Sequence, residues 1–456
     1  MYIHDTIAAI CTPLGEGGIG VIRISGDQSR RIGSTIFSRK PDGGFESHRF
    51  YYGSIIDPAS GDTLDEALVV LMQGPRSYTC EDVLEIQCHG GYLLVQRVLG
   101  LVLGNGARLA EPGEFTRRAF LNGRIDLVQA EAVIDIIRGK TDAALALARH
   151  QHAGLLSRQI AAVREGIIHA LAHLEAHIDF PEEEIAPDGM DRITGAAADA
   201  LLKIDEILSG FSEGRALREG VSVLLAGKPN VGKSSLLNAM LREKRAIVTA
   251  IPGTTRDVIE EVVNIHGLPV RIMDTAGICQ TDDDIESEGV QLALDKIAHA
   301  DLVLYMLDAS RPLESDDRRI EEELLGRDFI VVLNKCDLPQ AISLHGTLLN
   351  HETVRISTLT GDGIDTLLLA INTRFLHGRA IDSREYMALS NVRHRDALEK
   401  CAATLHSFAA DAAARLDPEL LAVDLRDALK LLGEITGETT ADDILDRIFK
   451  QFCIGK

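Results

Sequence analysis

Apolar and polar positions along the chain fall into three textures. Residues 1 to about 118 carry short β-type runs, such as Val21-Ile22-Arg23-Ile24-Ser25 and Ala67-Leu68-Val69-Val70-Leu71-Met72. Turn chemistry at Pro41-Asp42-Gly43-Gly44 and Pro75-Arg76-Ser77 separates them, and an apolar helical stretch from Tyr92 to Leu103 lies among them. From about 119 the pattern becomes helical and Ala-rich. Leu156, Ile160, Val163, Ile167, Leu171, Leu174 and Ile178 recur at steps of three and four, one face of a long amphipathic helix. Phe180-Pro181 ends it, because proline disfavours helical geometry at the residue before it. A second periodic helix covers roughly 196–208.

The texture changes again at Gly220. Apolar runs at 221–226, 270–273, 302–307, 329–333 and 353–356 alternate with helical segments, the pattern of a doubly wound, mostly parallel sheet. After about 376 the chain is helical once more, through Leu420, Leu421, Leu425, Leu429 and Leu432 to Ile444, Ile448 and Phe452. Helical texture on both sides of an α/β unit predicts an insertion. The expected order is an N-terminal α/β domain at 1–118, a helical domain made of 119–215 and 377–456, and a nucleotide-type domain at 216–376 set into it. The two ends of such an insertion should lie close together.

Length and charge narrow the picture. A chain of 456 residues carries about three domains and needs no disulfide or metal staple. Lys and Arg number 47 against 69 Asp and Glu, a net charge of −22, which argues against a protein that binds nucleic acid mainly by neutralising phosphates. A local basic patch stays open. With no Trp, seven Tyr and twelve Phe, a base-stacking platform is also disfavoured. The seven Cys include no C-x-x-C pair, and an odd count suits reduced thiols, so neither a disulfide framework nor a zinc site is expected. The start, Met1-Tyr2-Ile3-His4-Asp5, does not read as a signal peptide, and no apolar segment nears the roughly 18 residues of a membrane span. The expected compartment is the cytosol, with no membrane partner.

The strongest chemical motif is Gly227-Lys228-Pro229-Asn230-Val231-Gly232-Lys233-Ser234. It fits G-x-x-x-x-G-K-[ST], follows an apolar strand and precedes the helix-compatible Ser235-Leu236-Leu237-Asn238. Such glycines let backbone amides wrap the α- and β-phosphates at a helix N-terminus. Lys233 is then placed for the β- and γ-phosphates and Ser234 for Mg²⁺. Asp274-Thr275-Ala276-Gly277 ends a further strand, where its Asp can hold the Mg²⁺ shell and the Gly277 amide can follow the γ-phosphate. Asn334-Lys335-Cys336-Asp337 ends another. A carboxylate there accepts from guanine N1 and N2 and rejects adenine, so the expected nucleotide is GTP, with Ser357-Thr358-Leu359 backing the base.

The hydrolytic group is less legible. The residue after D-x-x-G, a water-orienting Gln in Ras-like proteins, is Ile278 here. The downstream run Asp282-Asp283-Asp284-Ile285-Glu286-Ser287-Glu288 reads either as a solvated charged loop or as the source of a carboxylate that positions water. A Thr within Thr249-Ala250-Ile251-Pro252-Gly253-Thr254-Thr255-Arg256-Asp257 can complete the Mg²⁺ shell. Asn230 either turns the loop or offers its amide oxygen to a monovalent cation beside the phosphates. Gly15-Glu16-Gly17-Gly18-Ile19-Gly20 matches G-x-G-x-x-G, but the β-branched residues after it read as strand. The expectation is a turn that brings backbone close to some other ligand. Arg23 is a sheet-face charge paired with a carboxylate or a ligand clamp, and His89-Gly90-Gly91 reads as a turn.

These residues resemble the tRNA modification GTPase MnmE (TrmE) family from Asp5-Thr6-Ile7-Ala8-Ala9 to the last residue. The specific marks include Gly17-Gly18-Ile19-Gly20-Val21-Ile22-Arg23-Ile24-Ser25-Gly26, Pro112-Gly113-Glu114-Phe115-Thr116 and Arg118-Ala119-Phe120-Leu121-Asn122-Gly123. Gln129-Ala130-Glu131-Ala132, Gly253-Thr254-Thr255-Arg256-Asp257 and Phe452-Cys453-Ile454-Gly455-Lys456 complete them.

The resemblance implies an N-terminal α/β domain that dimerises and binds a tetrahydrofolate, a helical domain, and an inserted Ras-like GTPase domain. It implies action with the flavoprotein MnmG, as a heterotetramer, on the wobble uridine of certain tRNAs, and fast GTP hydrolysis on K⁺-dependent pairing of GTPase domains. By that likeness Asn230, Thr249, Ile251 and Thr254 hold K⁺, Ser234 and Thr255 hold Mg²⁺, and Glu286 helps orient water. The implied GTP site runs over 230–235, 249–255 and 274–277, with Asn334, Lys335, Asp337 and 357–359. Arg23, Glu85, Arg124 and Lys456 match the positions for 5-formyl-tetrahydrofolate or a relative, with Arg124 where a Lys often stands. Thr358 replaces a common Ala, and Cys453 is either mechanistic or an inherited tail residue. A partner that carries much of the RNA contact is consistent with the acidic balance. A regulatory GTPase that recruits RNA or ribosomal partners, and a folate-dependent transferase with an appended GTPase, are the competing classes.

Overall fold

The computed structural model describes residues 5–38, 44–179, 188–244, 262–274, 299–377 and 388–456. The chain divides into two compact units, one built from Met1–Ile134 and Leu429–Lys456, the other from Asp135–Thr249 and Arg256–Ala428.

In the first unit β1 (Ile7–Ile10), β2 (Gly17–Ser25), β3 (Phe50–Ile56), β4 (Thr63–Met72), β5 (Val83–Gly90) and β6 (Arg108–Leu109) form one sheet in the order β3-β4-β5-β2-β1-β6. Its pairings are antiparallel except β1 with β6. Helices α1 (Ser29–Ile36) and α2 (Tyr92–Gly104) cover one face. Because successive residues alternate faces, Leu84 and Ile86 of β5 enter the core with Ile22 and Ile24, while Glu85 turns to the other side. There α3 (Glu114–Leu121) inserts Phe115 among Ile7, Ala9 and Ala110.

A buried charge network fixes that helix. Arg118, 3 % exposed, reaches Asp5 Oδ1 at 2.5 Å, Glu81 Oε2 at 3.1 Å and Glu114 Oε1 at 3.0 Å. Arg108 adds ion pairs to Asp5 and Glu114 at 2.6 Å each. Gly113, at φ +69°, lets the Phe449 carbonyl approach so closely that a Cβ would clash with it. The tail is thereby seated on α3.

Two segments of this unit differ from their expected turns. Gly17–Gly20 do not form a turn; they are the first half of β2, with a register shift between Gly17 and Gly20 opposite β5. His89 and Gly90 end β5, and Gly91 is the N-cap of α2. A period-two ladder absorbs glycines that look like loop when only side chains are counted.

The helices α4 (Leu127–Arg138), α5 (Asp142–His152), α6 (Leu155–Asp179), α7 (Asp188–Ser209) and α8 (Phe211–Glu219) follow in chain order. In the second unit α6 packs on α7 as its apolar stripe requires. After them come β7 (Val221–Ala226), α9 (Lys233–Lys244), β8 (Val262–Ile265), β9 (Leu268–Asp274), β10 (Leu302–Asp308), α10 (Ser315–Glu323), β11 (Phe329–Asn334), β12 (Thr353–Arg355) and α11 (Ile364–Leu376). The sheet order is β12-β11-β10-β7-β9-β8, parallel throughout except the β8–β9 hairpin. That edge strand escaped the periodicity reading because Val262–Ile265 spans only four residues before a two-residue turn at His266 and Gly267, both with positive φ.

The hairpin is not a free edge. Val263, Ile265, Leu268 and Val270 share one core with Leu147 of α5, Leu217 of α8 and Ile371 of α11. Thr141, the N-cap of α5, donates its hydroxyl to the Gly267 carbonyl at 2.7 Å. Helix α8 leads into β7 and packs on α11, which closes the α/β segment, so its two ends are neighbours. Helices α12 (Val392–Ala413), α13 (Pro418–Thr436) and α14 (Asp442–Phe449) complete the chain, and α12 packs on α7.

Candidate nucleotide site and a charged cluster on the N-terminal sheet

The phosphate loop leaves β7, whose six residues are all buried, and enters α9 at Lys233. Gly227 (φ +144°) and Gly232 (φ +105°) hold conformations that side chains rarely adopt. A Cβ on Gly232 would collide with Asn334 Nδ2. Lys233, 9 % exposed, donates Nζ to the carbonyls of Gly227 at 2.8 Å and Lys228 at 3.0 Å. Ser234, Ser235 and Asn230 are exposed, Asn230 at φ +65°. Lys228 ties the loop to the start of α10 through Asp317 at 2.7 Å and Glu314 at 2.8 Å.

Beside the loop, three strand ends are knit together. Asn334, fully buried, donates Nδ2 to the Val231 carbonyl at 2.8 Å and accepts on Oδ1 from the Thr358 amide at 3.1 Å. Ser357, also buried, donates its hydroxyl to Asp337 Oδ1 at 2.6 Å, which orients the carboxylate. Lys335 (φ +63°) donates Nζ to Asp308 Oδ2 at 2.7 Å. Leu359 is exposed. The structure thus brings Asn230–Ser235, Asn334, Lys335, Asp337 and Ser357–Leu359 into one crevice at the carboxyl ends of β7, β10 and β11. Asp308, which completes it, was not singled out in the sequence, because no motif spacing points to it. Asp274 ends β9 as expected, but its side chain lies outside the described residues. Thr249, Ala250, Ile251, Pro252, Gly253, Thr254, Thr255, Thr275, Ala276, Gly277 and Glu286 lie outside them as well.

The second site is on the α3 side of the N-terminal sheet. Arg23 and Glu85 face each other across β2 and β5, joined at 2.8 Å, and both are largely buried. The guanidinium lies 5.6 Å from the Tyr78 ring and 5.7 Å from the Phe115 ring. Tyr78 hydrogen-bonds Thr116 at 2.9 Å, and burial raises its phenol pKa against the fields of Arg23 and Arg124. Arg124 itself donates to the Ser77 carbonyl at 2.6 Å. Cys11 Sγ donates to the Gly455 carbonyl at 3.2 Å, and the Phe115 amide donates to the Lys456 carbonyl at 3.2 Å. Burial pushes the Cys11 thiol up, with the charges of Arg23, Glu85 and Lys456 all acting on it. Arg23 and Glu85 are thus paired beside Tyr78 and Phe115, the backbone of Gly455 and Lys456 is tied to Cys11 and Phe115, and Arg124 is fixed on the carbonyl of the residue before Tyr78. Sequence spacing gave no sign of Cys11, Tyr78 or Phe115, which arrive from three separate elements.

A phosphate loop at a helix start, a guanine-type N-K-x-D at a neighbouring strand end and a mostly parallel sheet define a P-loop GTPase domain. It sits in the chain between helical segments and follows an N-terminal α/β sheet. The family model described as MnmE helical domain matches residues 127–453, and that of the GTP-binding protein TrmE N-terminus matches 6–124. A tRNA modification GTPase MnmE of Geotalea uraniireducens (strain Rf4) is 60% identical over all of both chains, and one of Geobacter metallireducens is 62% identical, also over all of both. A crystal structure of Aquifex aeolicus Era bound to GDP and AlF4⁻ is similar over 40% of this chain and 66% of its own, at 28% identity and a TM-score of 0.27. The chain belongs to the tRNA modification GTPase MnmE family. It is an enzyme of the GTPase class. Among the described residues no helix is long and apolar enough to cross a membrane.

Proposed function

We propose that this chain is a K⁺-dependent GTP-hydrolysing tRNA modification enzyme. With the flavoprotein MnmG, in a heterotetramer, it adds a carboxymethylaminomethyl-type group at C5 of the wobble uridine of certain tRNAs. The one-carbon donor is 5-formyl-tetrahydrofolate or a related tetrahydrofolate. What supports this reading is the presence in one chain of two side-chain and backbone arrangements of different chemistry. One is a loop of amides with an exposed Asn230, the other an Arg23–Glu85 pair set against aromatic rings.

In this reading Asp337, oriented by Ser357, accepts from guanine N1 and N2. Lys233 exchanges its two loop carbonyls for β- and γ-phosphate oxygens, so its ammonium is partnered before and after binding. The exposed hydroxyl of Ser234, a hard oxygen donor, suits Mg²⁺, and Thr255 is its proposed companion. The exposed amide of Asn230 suits K⁺, with Thr249, Ile251 and Thr254 as the remaining proposed ligands. When bound, the two cations offset negative charge that develops on the transferring phosphoryl group. Glu286 is assigned to hold the attacking water. On the sheet, Arg23 and Glu85 offer a donor fork and an acceptor to a folate, and Arg124 and Lys456 offer cations to its carboxylates. The net charge of −22 fits a chain that meets tRNA mainly within the complex, as a cytoplasmic homodimer.

GTP turnover in K⁺ against Na⁺, with and without MnmG, tests the reading. K⁺ should accelerate hydrolysis at least tenfold, and Asn230→Ala should remove that acceleration while GDP still binds. Equal rates in the two salts, or undiminished K⁺ stimulation in the variant, would refute it. Titration with 5-formyl-tetrahydrofolate separates it from a regulatory GTPase switch, which needs no such pocket.

A further inference from the structure

We infer that Asp308 is a positioning residue for nucleotide binding, holding the Lys335 side chain in the place where it meets the guanine nucleotide. The inference rests on the guanine reading of Asn334–Asp337 above. Parallel pairing of β10 with β11 sets Asp308 beside Asn334, and the Ala309 amide donates to the Asn334 carbonyl at 2.8 Å. One residue on, Lys335 adopts φ +63°, an uncommon backbone for a residue with a side chain, and its Nζ meets Asp308 Oδ2 at 2.7 Å. The strand ends thus converge on this ion pair.

Asp308 is itself held. Its Oδ1 accepts from the Ser310 amide at 2.9 Å and the Ser310 hydroxyl at 2.6 Å, and only a tenth of its side chain is exposed. Burial works against its charge, but Lys335 and Ser310 outweigh that and keep its carboxyl below the ordinary range. Arg311 stands farther off, at 3.9 Å, and is solvent-exposed. Asp308 and Lys335 line the same cavity of about 120 Å³ as Lys228, Asn230 and Val231 of the phosphate loop. A lysine stem has four rotatable bonds, and freezing them on ligand binding lowers affinity. With Lys335 locked by Asp308 beforehand, the fraction of molecules competent to bind stays high.

The test is calorimetric titration of the full chain with GDP and Mg²⁺ for the parent, Asp308→Asn, Lys335→Ala and the double variant. Asparagine keeps the volume and the Ser310 contacts while removing the charge that holds Lys335. Asp308→Asn should weaken GDP about tenfold in the parent background and less than twofold when Lys335 is already Ala. The second result is one that a general structural role would not give. An equal loss in both backgrounds, or no loss in either, would overturn the inference. Loss from Lys335→Ala with none from Asp308→Asn overturns it while sparing the guanine reading. No loss from either variant overturns it too, and Asp337→Ala, which should abolish GDP binding, tests the guanine reading by itself.

Discussion

In the proposed reading, the nucleotide crevice and the charged cluster on the N-terminal sheet recognise ligands by opposite means. The crevice depends on backbone: two glycines at positive φ, an amide-lined turn, and side chains such as Asn334 and Ser357 that hold loops to one another. The cluster on the sheet depends on side chains: a cross-strand Arg23–Glu85 pair and two rings against the guanidinium. A ligand with several phosphates offers many equivalent oxygens, which fixed amides serve well. A flat, amphipathic ligand needs directional charge and ring contact, which a pleated strand face can array two residues at a time. The difference predicts different vulnerabilities. Adding a methyl group should ruin the first site, and removing a charge should ruin the second.

The largest effect expected is from Gly232→Ala. A Cβ there meets Asn334 Nδ2 and imposes side-chain strain at φ +105°, so GDP affinity should fall by about 3 kcal/mol, more than a hundredfold. Binding of 5-formyl-tetrahydrofolate should be untouched in the same titrations. Normal GDP binding by this variant would break the backbone half of the comparison. Next comes Arg23→Ala, which strands Glu85 and vacates the space by Tyr78 and Phe115. Folate affinity should drop by about 2 kcal/mol, and Arg23→Lys should recover less than half, since an ammonium lacks the planar fork. Full recovery by lysine would mean that charge alone suffices.

The smallest effect concerns acid. In Asp5 and Glu114 burial works to raise the pKa, but hydrogen bonds from Arg108 and Arg118 win, and both carboxyls end below their ordinary values. The unfolded chain therefore binds protons more readily than the folded one. The stabilisation is fully present well above the unfolded pKa near 4 and drains away as pH falls through the folded values, so the lower urea midpoint is expected at pH 3. Five of the seven tyrosines are Tyr2, Tyr51, Tyr52, Tyr78 and Tyr92, and the chain has no Trp, so tyrosine fluorescence during urea unfolding at pH 3 and pH 6 chiefly reports this unit. An unchanged midpoint would remove the Arg118 network from the account.

What could be read from the sequence follows the same divide. Phosphate loops and N-K-x-D are local: chemistry and backbone need coincide within eight residues or fewer, so spacing reveals them. The alternation of apolar runs likewise gave the strands from β7 to β12 other than the four-residue β8. The cluster on the sheet draws on positions 11, 23, 78, 85 and 115 and on the backbone at 455 and 456, and only pleat register and tail docking join them. No period or motif records such closeness. The family likeness supplied Arg23, Glu85 and Lys456, but Cys11, Tyr78 and Phe115 needed the fold. Asp308 was missed for a related reason, since its meaning comes from lying one strand over from Asn334.

The shared core behind the β8–β9 hairpin also limits how this enzyme can respond to its nucleotide. In sequence the hairpin spans the gap between the segment at 249–257 and the D-x-x-G at 274–277, so it is the natural lever between the two. Yet its inward residues interlock with Leu147 and Leu217, and its tip is pinned by Thr141. Sliding that lever by one residue would swap its inner and outer faces and pull apolar groups out of the helices behind it. Any shift of the hairpin that accompanied a change of nucleotide would have to carry Thr141 and the start of α5 with it or break that hydrogen bond.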